Sequence, residues 1–313
     1  MPPKTYLPSG DELWAILSGY RRGVRAGTER LLEGVAETAP DERLLELLSE
    51  PFDSVADTAE RLSALATHLR ERGDRRSVFL TVYSTMTEAV RAGIDSEAFA
   101  DPAWVRAYLV TFADYYRRAL LAFERRAFEA VPLPWQVAFA ASLHGDTLVT
   151  QDALLGINAH INYDLSYALD EVAIDPNRER KRADHDRIND VLEQLTDVVQ
   201  ETLASVYGAE GISEFDAAFG GLDERLSLVG LAGSRRFAWR NAVLLADAPP
   251  WVGTRYVDWR TRTVAFGVAS VVLTPGIDTD TMERLRTIEA EGPMLASFGA
   301  EFRRRADDGV ALL

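Results

Sequence analysis

Apolar residues recur at helical spacing through almost the whole chain, and this pattern limits the folds that it can adopt. A repeat of about 3.6 residues places the apolar side chains on one side of successive amphipathic helices. Runs of alternating polar and apolar residues, which half-buried strands need, are missing, and no Asn-Gly hairpin turn occurs. We therefore predict an all-α fold, a multi-helix orthogonal bundle of roughly ten helices without a substantial sheet.

Capping residues and breaks divide this pattern into segments. Ser54, Thr150 and the Asp101-Pro102 pair are typical helix starts, and Gly73 and Gly93 are typical helix ends. The predicted helices, given by their residue numbers, are 12–27, 55–73, 76–93, 103–131, 135–144, 150–172, 178–207, 213–231, 233–247 and 252–272. Residues 278–313 form an amphipathic C-terminal tail.

No low-complexity linker or internal repeat divides the 313 residues. A single all-helical domain over 1–313 is the simplest interpretation, and a semi-separate N-terminal lobe over 1–95 is the alternative. The β-branched run at 266–273 also suits a strand, but no partner strand for it is evident.

Charge and composition exclude several classes of protein. The chain has no cysteine, so disulfides, thiolate catalysis and cysteine-based zinc sites are excluded. Its net charge of −15 argues against a general nucleic-acid binder and against binding to anionic membranes. No apolar run is long enough for membrane insertion, and no signal peptide is evident, so we expect a cytoplasmic protein. Lys4 and Lys181 are the only lysines, and such an acidic, arginine-dominated chain resembles halophilic proteins.

Four polar side chains interrupt the apolar run 154–165, "LLGINAHINYDL". His160 and Asp164 are four residues apart and share one face of the predicted 150–172 helix, while Asn158 and Asn162 share roughly the opposite face. The helix is apolar nearly all round, which predicts burial on most sides. Each of these groups then needs a partner, because an unpaired buried polar group costs about 1–3 kcal/mol.

The predicted 178–207 helix carries a second polar pair. His185 and Asn189 extend its apolar stripe, whereas Asp190 and Glu193 lie on a polar face. Consecutive helices joined by a short break are usually neighbours. We therefore predict a polar pocket between the 150–172 and 178–207 helices, for a small-molecule ligand or substrate.

A metal-dependent enzyme, most simply a hydrolase of an ester or phosphoester, is the leading hypothesis. His144, His160, Asp164 and His185 would bind a divalent zinc, manganese or iron ion. In this hypothesis His160, Asp164 and His185 are also the catalytic residues. Three asparagines would orient ligands or substrate: Asn158, Asn162 and Asn189.

Other functions remain open at this point. The same residues suit a buried hydrogen-bond network in a non-catalytic helical binding protein. They also suit a metal-free site in which His160 or His185 is a general base oriented by Asp164. A magnesium-dependent isoprenoid diphosphate enzyme is a third class, since "NDVLE" at 189–193 is faintly similar to a metal motif of those enzymes.

Two resemblances follow from these motifs. The His-x-x-x-Asp spacing of His160 and Asp164 is similar to part of the site of helical zinc phospholipase C and P1-type nucleases, which use more histidines than this chain has.

The segment 154–169, with "PLPWQVAFAASLHGD", "DHDRINDVLEQ" and "FAWRNA", resembles a bacterial and archaeal family known only as a domain of unknown function. Its recurring pattern is Gly-x-Asn-x-His-Ile-Asn-x-Asp-Leu, here Gly156 to Leu165. The resemblance covers roughly 75–250 and implies no particular activity.

Overall fold

The computed structural model describes residues 32–35, 39–195, 198–199, 201–202, 205, 230–274, 279–291 and 294–309. Within these ranges every regular element is helical and no strand occurs, which confirms the all-α prediction. The run 266–273 lies inside a helix. The predicted helix 12–27 and most of 213–231 lie outside the described residues.

The helices are numbered here in chain order. The first five are α1 (Glu42–Leu48), α2 (Val55–Glu71), α3 (Ser77–Asp95), α4 (Pro102–Glu124) and α5 (Leu133–His144). A continuous helical rod follows, made of α6 (Val149–Asn158), a π-helical turn (Ala159–Asp164) and α7 (Leu165–Glu171). The later helices are α8 (178–195), α9 (Leu231–Asp247), α10 (Pro250–Leu273), α11 (Thr279–Glu291) and α12 (Met294–Gly309). None of the described helices has the length and apolar character needed to cross a bilayer.

Side-chain caps and backbone breaks set several helix ends as the sequence predicts. The Ser54 side chain accepts a bond from Asp57 N–H, and the Asp101 side chain accepts one from Trp104 N–H. The predicted helix 103–131 ends earlier than expected, at Glu124. The helix ends there because Arg126 adopts a left-handed backbone conformation, with φ 58°, which is incompatible with a right-handed helix.

Thr150 does not cap the rod, so that prediction was wrong. The rod begins one residue earlier, at Val149. Gln151 Oε1 accepts the Leu148 N–H at 2.9 Å, and Glu289 Oε1 on α11 accepts the Val149 N–H at 2.9 Å. Gln151 and a distant carboxylate therefore replace the predicted Thr150 cap at this helix start.

The π-helical turn is the feature of the rod that the sequence did not predict. At its end, the Leu165 N–H bonds to the His160 carbonyl five residues earlier. A π turn holds one extra residue and is common at functional sites. It contacts α4, α5, α9 and α10, and it carries all of the polar residues of the 158–164 motif except Asn158.

Buried apolar clusters surround the rod. The largest extends in sequence from Val35 to Val272 and packs Phe79 and Trp135 against the rod. A second cluster joins Leu165 to α8 and α9, where Trp239 lies. The rod is thus enclosed by helices from both ends of the chain.

Gly156 lies where the rod packs against Phe79 of α3. A Cβ atom there would overlap the ring of Phe79, whereas a Cβ on Gly233 of α9 would meet no atom within 4 Å. We expect Gly156→Ala to destabilise the fold by about 1–3 kcal/mol through overpacking. The matched variant Gly233→Ala is expected to be neutral or stabilising by up to about 1 kcal/mol. Urea unfolding followed by circular dichroism checks both; equal effects of the two changes would contradict this packing.

Candidate functional site

The centre of the candidate site is a buried chain of three side chains. His160 Nδ1 lies 3.1 Å from Asp164 Oδ2, and Trp135 Nε1 on α5 donates to the same oxygen at 2.8 Å. An ionised Asp164 accepts both bonds, one from the indole N–H and one from His160 Nδ1–H. The ring then keeps a lone pair at Nε2.

Aromatic rings enclose the His160 imidazole. Phe112 stacks on it with ring centroids 3.6 Å apart and planes 5° apart, and Tyr83 meets it edge-on at 4.5 Å. Phe79, Trp135 and Tyr116 complete the enclosure at 5.9, 5.9 and 6.3 Å. Phe112 and Tyr116 of α4 are four residues apart, and this spacing alone favours a core position for them. It gives no signal that they contact His160.

Burial changes the protonation of this pair. It lowers the pKa of His160 and raises the pKa of Asp164, although their mutual hydrogen bond opposes both shifts. Burial, with the charge of Asp164, also raises the pKa of Tyr83 well above its ordinary value. A carboxyl with a raised pKa beside a neutral imidazole is a typical proton-transfer arrangement.

Several polar atoms in this region lack a hydrogen-bond partner within the described part of the chain. They are His160 Nε2, Asp164 Oδ1, Asn162 Oδ1 and the Tyr116 hydroxyl, and all are buried. Unsatisfied buried polar atoms are uncommon in native proteins and usually have a functional reason or an ordered solvent partner. Their concentration around the π turn marks it as the candidate site.

The asparagines of the motif are bonded to each other and to α10, and their predicted role in orienting ligands or substrate stays a prediction. Asn162 Nδ2 donates to Asn158 Oδ1 at 2.9 Å, and Asn158 Nδ2 donates to the Ala265 carbonyl of α10 at 2.7 Å. The asparagine side of the rod is therefore hydrogen-bonded to α10, while the His160 side faces α3, α4 and α5.

His185 belongs to a different cluster from His160. Arg235 of α9 donates from Nη2 to the His185 carbonyl at 2.6 Å and from Nε to Asn189 Oδ1 at 2.8 Å. The Tyr108 hydroxyl lies 3.1 Å from His185 Nδ1. Burial first, and then the Arg235 charge, lowers the pKa of His185 well below its ordinary value. The predicted inward pair His185 and Asn189 thus joins α8 to α9.

The four predicted metal ligands occupy three places. His160 and Asp164 are together, His185 lies in the Arg235 cluster, and His144 is exposed at the end of α5 near Gly34. Among the described residues, no three histidine, aspartate or glutamate side chains form a group able to hold a metal ion. Asp190 and Glu193, of the proposed magnesium motif, are exposed. Metal binding stays a prediction.

An open cleft of about 480 Å³ reaches the site from the surface. Asp164 belongs to its wall, although the residue is only 1% exposed. The other lining residues come from α4, the α4–α5 connection, the rod and α10: Tyr115, Arg118, Ala119, Ala130, Pro132, Tyr163, Tyr167, Thr254, Arg255 and Asp258. The sequence predicted a pocket between the 150–172 and 178–207 helices, whereas this cleft lies between the rod, α4 and α10.

Comparison of the chain with models of known protein families gives one match. Residues 55–275 match the model of the family of unknown function DUF5995. The chain belongs to this family. The match contains the rod, α2 to α10 and every candidate site residue, and it agrees with the predicted membership of an uncharacterised family. No curated protein and no solved structure matches the chain. The DUF5995 match carries no activity.

The buried His185 generates a pH prediction. Its pKa in the folded protein is far below the ordinary value of 6.5, so the unfolded state binds the proton more readily. Its contribution to stability is complete above about pH 6.5 and falls by about 1.4 kcal/mol per unit below that. We expect the free energy of unfolding to drop less between about pH 7.5 and about pH 5.5 in His185→Gln than in wild type. Urea titrations at both pH values measure this, and identical pH slopes would show that His185 is not buried in its neutral form.

Proposed function

We propose that this DUF5995 protein is a hydrolase of a small ester or phosphoester, with Asp164 as its acid–base group. One observation carries the proposal. Asp164 is both a member of the buried His160–Trp135 chain and a residue of the cleft wall, and its Oδ1 has no partner among the described residues.

The proposed step is general-base hydrolysis. Asp164 Oδ1 takes a proton from a water molecule while the water oxygen attacks the carbonyl carbon or phosphorus. The carboxyl then returns that proton to the leaving oxygen as the ester bond breaks. A raised pKa suits both halves of this exchange at neutral pH. His160 and Trp135 act as positioning residues, because both bond to Oδ2 and leave Oδ1 for the reaction.

The remaining cleft residues suit a substrate with a polar or anionic group. Arg255 is exposed and has no ion-pair partner within the described residues. Arg118 stacks on Tyr115 at 4.2 Å and pairs with Asp114 at 3.1 Å, so it is already partly neutralised. Arg255 is therefore the proposed contact for a carboxylate or phosphate group.

A divalent metal ion is kept as a proposed addition to this site. His160 and Asp164 are the pair of predicted ligands that lie together, and their unpartnered atoms are one nitrogen and one oxygen. An N and an O donor suit zinc, manganese or iron. Asp164 would then act as a ligand, and the ion would supply the activated water in place of the general-base step.

A non-catalytic binding protein is the second candidate. The observation that favours it is the close aromatic enclosure of His160, which is typical of a structural network. The enclosing residues are Phe79, Tyr83, Phe112, Tyr116 and Trp135. In that case Asp164 stabilises the core, and the tyrosine-lined cleft binds a ligand without changing it.

Turnover of p-nitrophenyl esters and bis-p-nitrophenyl phosphate tests the proposal, with metal-stripped protein and after adding zinc, manganese or iron. We expect turnover in wild type and a loss of at least about 100-fold in kcat/KM for Asp164→Asn. The matched control is Asp186→Asn on α8, outside the cleft, which should keep wild-type rates. Elemental analysis of the same samples decides whether a metal takes part.

The outcomes separate the two candidates. Equal rates for Asp164→Asn and wild type would exclude Asp164 as the acid–base group. No turnover of any substrate, combined with a large loss of stability in Asp164→Asn, would overturn the hydrolase and favour the binding protein.

A further inference from the structure

The outer face of α10 is unusually apolar for a surface. Among the described residues the exposed large apolar side chains all lie there: Trp251 (74% exposed), Trp259 (54%), Tyr256 (48%) and Val252 (40%). Contiguous exposed apolar patches of this kind usually mark an interaction site. We call these four residues, together with Arg255 and Arg262, the α10 face.

Helical spacing gathers these residues on one side of the helix. Trp251, Arg255 and Trp259 are four residues apart, and Tyr256 and Val252 flank them. Tyr256 and Trp259 stack with ring centroids 5.9 Å apart. The buried side of the same helix is formed by Gly253, Val257 and Thr261. The α10 face is therefore the solvent side of a helix that is well anchored by its opposite side.

The charge of this face differs from the charge of the whole chain. Between positions 250 and 262, α10 has three arginines, Arg255, Arg260 and Arg262, and one aspartate, Asp258. Asp258 pairs with Arg262 at 2.7 Å, and Arg260 lies over the rings of Phe237 and Tyr256 at 4.8 and 5.5 Å. Because salt screens charges beyond about 8 Å, a partner at this face meets these arginines rather than the net charge of −15.

We propose that the α10 face docks onto an anionic lipid surface, with the helix lying in the plane of the interface. Tryptophan and tyrosine are the residues that the headgroup region of a bilayer favours. Arginines beside them suit anionic headgroups, as in interfacial amphipathic helices. A second copy of the chain fits less well, since two such faces would bring arginines together. The net charge of the whole chain argued against binding to anionic membranes. The α10 face differs from the rest of the chain, because it is locally basic and aromatic.

The α10 face borders the cleft. Arg255 belongs to both, and Thr254 and Asp258 continue the cleft wall on the same helix. A lipid surface at the α10 face would therefore lie at the mouth of the cleft. Docking itself does not depend on hydrolysis in the cleft.

Vesicle co-sedimentation of the full chain tests the proposal. The probes are vesicles of pure phosphatidylcholine and vesicles with about one-third phosphatidylglycerol, at about 0.1 M and about 1 M salt. We expect binding to the anionic vesicles at low salt, with a blue shift of tryptophan fluorescence. The Trp251→Ala/Trp259→Ala variant should bind at least about 10-fold more weakly. Arg255→Gln should bind about 5-fold more weakly.

Arg187→Gln is the matched control, because it removes an exposed arginine from α8 rather than from α10. It should bind the anionic vesicles as wild type does. Absence of binding to anionic vesicles would overturn the proposal, and so would equal binding to phosphatidylcholine. Equal losses in Arg187→Gln and Arg255→Gln would also overturn it. Sedimentation velocity tests the alternative partner. If wild type is a dimer and the double tryptophan variant is a monomer, the α10 face binds a second copy of the chain and the lipid proposal is overturned.

Discussion

The burial of the Asp164 carboxyl is the constraint on which the centre of this structure depends. A carboxyl almost fully removed from water requires hydrogen bonds that replace hydration. The Trp135 indole and the His160 imidazole supply them from α5 and from within the π turn. Both donors carry large rings, so the groups that satisfy the carboxyl also fill the core around it. The polar site and the aromatic packing are one arrangement, because moving either ring would remove one of the two hydrogen bonds to the carboxyl.

Much of the fold follows from local patterns. Apolar periodicity predicted most of the described helices, and Ser54 and Asp101 were recognised as caps because their side chains bond within three residues. The predictions failed where a distant group decides the local structure. The start of the rod is capped by Glu289, which is 140 positions away, so Thr150 was a reasonable but incorrect choice.

Part of the site was also predictable from the sequence, because local residue spacing determines it. The pairing of His160 with Asp164 and of Asn158 with Asn162 depends on a spacing of four residues, which the sequence shows directly. The inward position of His185 also follows from its apolar stripe. Nothing local indicates that Arg235 binds His185, or that Trp135 bonds to Asp164 from another helix. The cleft between the rod, α4 and α10 was not predicted, because the order of helices in space is not contained in their periodicity.

The π turn has a consequence for how this part of the sequence can vary. By holding one extra residue, it sets the angular offset between α6, which packs on α3 and α10, and α7, which packs on α9. The apolar side of α6 can then pack on α3 and α10, and that of α7 on α9, although the two helices form one continuous rod. If the same residues formed an ordinary α-helix instead, the extra residue would rotate α7 against α6 by about 100°. In this segment the number of residues is as much a part of the design as their identities.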